Sequence, residues 1–262
     1  MPPLKLLLVR HGQSVGNVEG RMEGVSSTGL TPWGVEQSFR LGRHLATTGW
    51  YPTHIYSSPL ERATDTLAAL VKGFQAKSSS STDLCSESPK FGGKARIFDQ
   101  FSLAPGQALA VELRAELVEY NSGIFTGLTW AEACDRYPEL CQQLTTSLDW
   151  QPIPKAETLE QGQARAQRFL DYLLGRHSNG DRILVISHHW LLQQMIACLM
   201  GCDRAWGMPM DNTARFEFWL DRDRWDQSGP NRLNTELWQI KCFNDCTHCH
   251  TPEAKTEFER PE

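Results

Sequence analysis

Three short apolar runs, Leu6–Val9, His54–Ser57 and Ile183–Ile186, are each followed by a helical pattern. Runs of this length, too short for helices of their own, read as buried strands. A strand followed by a helix, repeated, is the rhythm of a parallel sheet whose crossovers pack on both of its faces. The expected fold is therefore α/β: a three-layer sandwich with a mainly parallel central sheet and helices on either side. Near the end, ARFEFWL (214–220) and ELWQIKCF (236–243) alternate like the strands of a hairpin, with its turn around Gly229 and Pro230.

Helix boundaries are partly signalled. Thr31 can cap a helix that has Pro32 in its first turn, and Val35, Phe39 and Leu45 fall roughly on one face. In SSPLERATDTLAAL, Ser58 and Glu61 have capping-box spacing with Pro59 first in the helix, and Leu60, Thr64, Leu67 and Val71 form an inner face. A third helix is expected from about residue 157 to 174. A fourth follows Ser187 and stops at Gly201, a natural cap. Residues 76–95 are serine-rich and read as a surface loop insertion. Residues 251–262 read as a flexible C-terminal tail, which leaves a single domain over 1–250.

Composition narrows the partners. With a formal net charge of −5, the 262-residue chain has no global basic field to draw it to nucleic acid or membrane. An anionic ligand must be captured by local arginines. The apolar stretch at Leu4 and Leu6–Val9 is too short for a signal core or a membrane span. Eight scattered cysteines fit reduced thiols in a cytoplasmic protein. Cys242, Cys246, Cys249, His248 and His250 contain one zinc-like half-site but no separated second half, so neither metal nor cofactor is expected. His44, His54 and His177 read as surface residues, and the oligomeric state is open.

The strand-to-helix junctions carry the chemistry. Arg10 and His11 follow the first strand, Arg62 lies in the first turn after the second, and His188 follows ILVIS. In an open parallel sheet such junctions line the carboxyl edge, where ligands bind. Two histidines and two arginines suit phosphoryl transfer. A neutral imidazole attacks phosphorus, guanidiniums clamp the non-bridging oxygens, and a second, protonated histidine donates to the same oxygens. The leaving group then needs a proton from a carboxylic acid.

LVRHG (8–12), Gly16-Asn17, LTPWG (30–34), SSPLERATDT (57–66) and ISHHW (186–190) occur in the order found in the histidine phosphatase (phosphoglycerate mutase-like) superfamily. ELVEYNSGIFTGLT (116–129) resembles its Glu-x3-Gly-x3-Gly pattern through Glu119, Gly123 and Gly127, and FNDCTH (243–248) its terminal segment. The resemblance implies a metal-independent phosphatase acting on a small phosphorylated substrate. His11 would be the nucleophile that forms phosphohistidine, and Arg10, Arg62 and His188 the phosphate pocket. Glu119 would be the general acid and Asn17 a further pocket residue. Glu112 and Glu116 lie close to Glu119, but the glycine spacing selects Glu119. Two departures stand out: Thr126 replaces a frequent glutamate, and His189-Trp190 replaces a frequent glycine, with Trp190 expected to pack into the core. The alternatives are a phosphoglycerate-type mutase and a non-catalytic phosphate-binding module. The compact WAEACDRYPEL segment resembles phosphatase members.

Overall fold

The computed structural model describes the chain except for residues 27, 77–97, 105–106, 203, 205, 228 and 250–262, and describes 98–108 through the backbone alone. Apart from Ala76, the expected insertion and the tail lie outside the described residues, as does His250.

Strands β1 (Leu4–Arg10), β2 (His54–Ser57), β3 (Phe98–Ala104), β4 (Gln107–Leu113), β5 (Arg182–Ser187), β6 (Arg215–Leu220) and β7 (Trp238–Asp245) form one sheet. Their order is β3-β4-β2-β5-β1-β6-β7. The four middle strands, β4, β2, β5 and β1, run parallel. β3 adds antiparallel at one margin, and β6 with β7 at the other, where the expected hairpin forms.

The helices are α1 (Val15–Val18), α2 (Pro32–Thr47), α3 (Glu61–Gln75), α4 (Trp130–Arg136), α5 (Pro138–Thr146), α6 (Leu159–Arg176) and α7 (His189–Leu199). Strand alternation divides the core into two. Leu6 and Leu8 of β1 pack with Phe169, Leu173, Leu192 and Met195 of α6 and α7. Leu7 and Val9 pack with Leu41, Leu45, Leu67 and Leu70 of α2 and α3 on the opposite face. Each fully buried leucine contributes roughly 1.5–3 kcal/mol of transfer free energy, so both faces must be covered. The result is the three-layer arrangement expected from the strand–helix rhythm.

Two local expectations are corrected. The inner face of α2 is Gly34, Gln37, Ser38, Leu41, Gly42 and Leu45, while Val35 is 40% exposed. The reason is a close helix–helix contact: a Cβ on Gly42 would lie 2.0 Å from the Leu70 carbonyl, and one on Gly73 2.1 Å from that of Phe39. Small residues make this contact, and a search for apolar periodicity passes over them. The capping box at Ser58 is also absent. α3 starts at Glu61 after Leu60, with no side-chain cap, and Ser58 Oγ instead meets His188 Nε2 at 2.8 Å. Elsewhere the caps follow the sequence: Thr31 accepts from Gly34 N, and Thr158 forms a capping box with Gln161.

Candidate active site

β1 delivers the first two site residues. Its pairing with β5 continues one step beyond the strand, where His11 N donates to Ser187 O at 3.0 Å. The chain then bends under α2. A Cβ on Gly12 would come within 2.5 Å of the Gly34 carbonyl, and Gly12 N donates to Thr66 Oγ1 at 2.8 Å. Gly12 is thus required by helix packing, whatever approaches from the other side. His11 is 2% exposed, and its Nδ1 lies 2.7 Å from Gly12 O. A carbonyl can only accept, so Nδ1 carries the proton and Nε2 keeps its lone pair. Burial, reinforced by the charges of Arg10 and Arg62, holds the His11 pKa well below the ordinary imidazole range. The ring is therefore a neutral base with one free nitrogen.

Arg10 and Arg62 surround this ring with positive charge. Arg10 Nη1 donates to Met210 O at 2.5 Å, while its buried Nε has no hydrogen-bond partner among the described residues. A buried charged donor without a partner is costly, and an anion relieves that cost. Arg62 is 1% exposed. Its Nη1 donates to Ser26 O (2.6 Å), its Nη2 to Gly24 O (2.9 Å) and its Nε to His188 Nδ1 (3.1 Å). A guanidinium has five N–H groups, so this fixed fork retains two for a ligand.

His188 occupies a different position from the one its expected role describes. Nδ1 accepts from Arg62, so Nε2 carries the proton and donates to Ser58 Oγ. Burial and the neighbouring His11 and arginines push its pKa well below the usual value. It is neutral, its ring centroid lies 5.1 Å from that of His11, and it holds the Arg62 fork. In this arrangement His188 is an acceptor for Arg62, in place of the protonated donor anticipated from the sequence.

Asn17 lines the same cavity, which measures about 330 Å³. Its Oδ1 accepts from Ser14 N (3.2 Å) and Asn212 Nδ2 (2.9 Å), which fixes the amide; its Nδ2 donates to Glu23 Oε2 at 3.5 Å and keeps a second N–H. Asn212 also donates to His11 O at 3.2 Å. Sequence reasoning missed Asn212, and no motif marks it. The terminal FNDCTH segment explains its position. Asn244 exchanges two 2.9 Å hydrogen bonds with Asp211, Asp245 pairs with Arg215, and His248 Nε2 meets Thr213 Oγ1 at 2.9 Å. β7 and the turn after it thereby brace the loop that touches Asn17 and His11.

Glu119, half-buried, is one of two carboxylates in the cavity wall. Oε1 accepts from Tyr120 N at 2.8 Å, and longer contacts of 3.4 Å reach Trp190 N and Leu191 N at the start of α7. Its two sequence neighbours are committed elsewhere. Glu112 and Glu116 pair with Arg114 at 2.8 and 2.7 Å, and Glu112 also binds Tyr172. A second buried carboxylate, Glu23, was not singled out from the sequence. It accepts from Ser14 Oγ and Thr28 Oγ1 at 2.6 Å each and lies 3.8 Å from Arg62 Nη1. Only the loop path after β1 brings it under the cavity.

Trp190 corrects a further expectation. It packs over Gly162, where a Cβ would fall 2.0 Å from the indole, but it also lines the cavity and lies tilted against Tyr120 at 4.7 Å between centroids. The cysteine tail gathers no ligand set among the described residues. Cys242 faces Arg215 O, Cys246 faces Asn212 O and Cys249 faces Thr213 Oγ1. His177 is 5% exposed, contrary to the surface position expected for it, while His44 and His54 are half-buried.

Fold and cavity together define a class. The chain belongs to branch 1 of the histidine phosphatase superfamily, whose family model matches residues 6–85 and 99–232. Among individual proteins it is 26% identical over 190 residues to the metal-independent phosphoserine phosphatase of Arabidopsis thaliana, covering 72% of this chain and 66%, just under two thirds, of that protein. It is 25% identical over 213 residues to phosphoserine phosphatase 1 of Hydrogenobacter thermophilus, covering 80% and 84% of the two chains. The fold matches the crystal structure of the alpha-ribazole phosphatase of Shigella flexneri with a TM-score of 0.66 at 21% identity, over 92% of this chain and 96% of that one.

Proposed function

We propose that the chain hydrolyses small phosphate monoesters through a phosphohistidine on His11. The observation that carries this reading is the His11 ring itself. It is neutral, its proton is fixed on Nδ1 by Gly12 O, and its free Nε2 lies in the field of the Arg10 and Arg62 guanidiniums. A pure anion-binding pocket has no use for an uncharged imidazole there, since a charged one would bind better.

Nε2 attacks phosphorus and the ester P–O bond breaks, with its electron pair leaving on the alcohol oxygen. Arg10 Nε, the two remaining Arg62 N–H groups and the Asn17 amide neutralise the three equatorial oxygens. His188 contributes by orienting Arg62. Glu119, in its acid form, protonates the departing alkoxide and, as carboxylate, then takes a proton from the water that attacks the phosphohistidine. Free phosphate and the original imidazole result. The cationic groups supply the charge stabilisation that a metal provides in other phosphatases, so no metal enters any step. Tyr120 and Trp190 meet the leaving group. The free thiols among the described cysteines and the absence of any helix long and apolar enough to cross a membrane, again among the described residues, support a cytoplasmic setting.

Rapid-quench labelling tests the mechanism. Mixing the enzyme with a phosphoester labelled in its phosphate should trap acid-labile, base-stable protein phosphate that is absent in His11→Ala. Undiminished turnover by His11→Ala would sink the proposal. Isomerised phosphoester in place of free phosphate would move the chain to the mutases, with the same nucleophile.

A further inference from the structure

The amino edge of the parallel strands carries a second cluster of chemically active side chains, which the phosphatase chemistry does not use. His54 opens β2, Asp181 immediately precedes β5, and His177 ends α6. His177 Nδ1 lies 3.2 Å from Asp181 Oδ2, and His54 Nδ1 lies 3.9 Å from Asp181 Oδ1. One donor atom from each of the three falls within 4.8 Å of the others. β5 rises by about 3.3 Å per residue over its six residues, which puts this cluster roughly 20 Å from His188.

His177 is contacted at both ring nitrogens. Glu112 accepts from the Tyr172 hydroxyl at 2.8 Å, and Tyr172 oxygen accepts from Arg176 Nη1 at 2.9 Å. Tyr56 oxygen lies 2.8 Å from His177 Nε2. With Nε2 protonated and donating to Tyr56, a neutral His177 presents its Nδ1 lone pair to Asp181 Oδ2 at 3.2 Å, an arrangement that a cation completes. His54 Nδ1 lies beside the same carboxylate, with Thr53 Oγ1 2.9 Å from it.

We propose that His54 Nδ1, His177 Nδ1 and the Asp181 carboxylate bind a divalent first-row transition ion, zinc being the best fit. Tetrahedral zinc with nitrogen and oxygen ligands at about 2.0–2.1 Å spaces its ligand atoms about 3.4 Å apart; here His177 Nδ1 lies 3.2 Å from one carboxylate oxygen, His54 Nδ1 lies 3.9 Å from the other, and one ligand atom from each residue falls within 4.8 Å of the rest. Tyr56 oxygen, 2.8 Å from His177 Nε2, supplies the outer hydrogen bond that metal-ligating histidines ordinarily have. Water completes the fourth position. The ion would tie the α6–β5 turn to the start of β2, a structural role independent of turnover.

The test uses the full-length, chelator-treated protein titrated with Co2+ and Zn2+. One Co2+ should bind with a visible d–d band and no thiolate charge-transfer band, and Zn2+ should displace it. The thiolate band separates this cluster from the cysteine tail. His54→Ala and Asp181→Asn should each weaken binding at least tenfold and abolish the zinc-induced rise in melting temperature, while phosphatase turnover stays within twofold. His11→Ala should bind the ion as the parent does. The proposal is overturned if the parent binds no ion, if both variants at the amino edge bind as the parent does, or if the band reports sulfur ligation.

Discussion

At the carboxyl edge of the parallel strands, Arg10, His11, Arg62 and His188 lie together, and the two guanidiniums keep N–H groups free of hydrogen bonds among the described residues. At the amino edge, His54 and His177 surround Asp181, and two imidazole nitrogens face a carboxylate. Both edges combine histidine with groups of fixed charge, but the carboxyl edge adds guanidiniums and the amino edge a carboxylate. The first is complementary to an anion and the second to a cation. The difference comes from the strands' direction. Strand ends leave toward helix N-termini, which suit phosphate, whereas strand starts receive the ends of helices and their connecting turns.

The largest effect expected from breaking the comparison is at Arg62. Arg62→Ala should lower kcat/KM by about 10²–10³, the usual cost of one pre-organised donor to transition-state charge. His54→Ala, at the opposite edge, should leave kcat/KM within twofold. A similar loss in both variants would mean that the edges are coupled. Glu119→Gln comes next. It should slow alkyl phosphates by about 10²-fold or more and activated aryl phosphates far less, because only the former need a proton on the leaving oxygen. Equal losses would remove Glu119 from the acid role.

Acid should separate the edges more gently. The native-state pKa values of His11 and His188 are both depressed, so between 6.5 and their native values the unfolded chain binds more protons than the folded one. The stability that depends on their neutrality is complete above pH 6.5 and is lost as the pH falls through the native values. Each contributes at most about 1.4 kcal/mol per pH unit in that window. Urea melts of the parent and His11→Ala between pH 7.5 and 5 should show a shallower decline for the variant, and parallel curves would contradict a neutral, buried His11. The smallest effect is assigned to Asn212, a positioning residue. Asn212→Ala should raise KM about three- to tenfold, the worth of a hydrogen bond, with little change in kcat. An unchanged KM would show that Asn17 holds its orientation without it.

Sequence alone determined the architecture and the chemistry at the strand ends. Buried strands must be apolar, and a crossover must return on the same side, so the rhythm of β1, β2 and β5 predicts where Arg10, His11, Arg62 and His188 meet. Glu119 was legible through the spacing of two glycines, both of which have the positive φ that glycine accommodates best. Residues whose role depends on contact alone stayed hidden. Glu23 and Asn212 reach the cavity through loop paths with no periodicity. Ser58 has the spacing of a cap, yet its Oγ accepts from His188, 130 residues away. Val35 looked like core, while Gly42 and Gly73 made the contact between α2 and α3. Only the tertiary structure could decide these points, because a pattern along the chain records local preference and burial, whereas the partner of a polar group is chosen by whatever the fold brings within 3 Å.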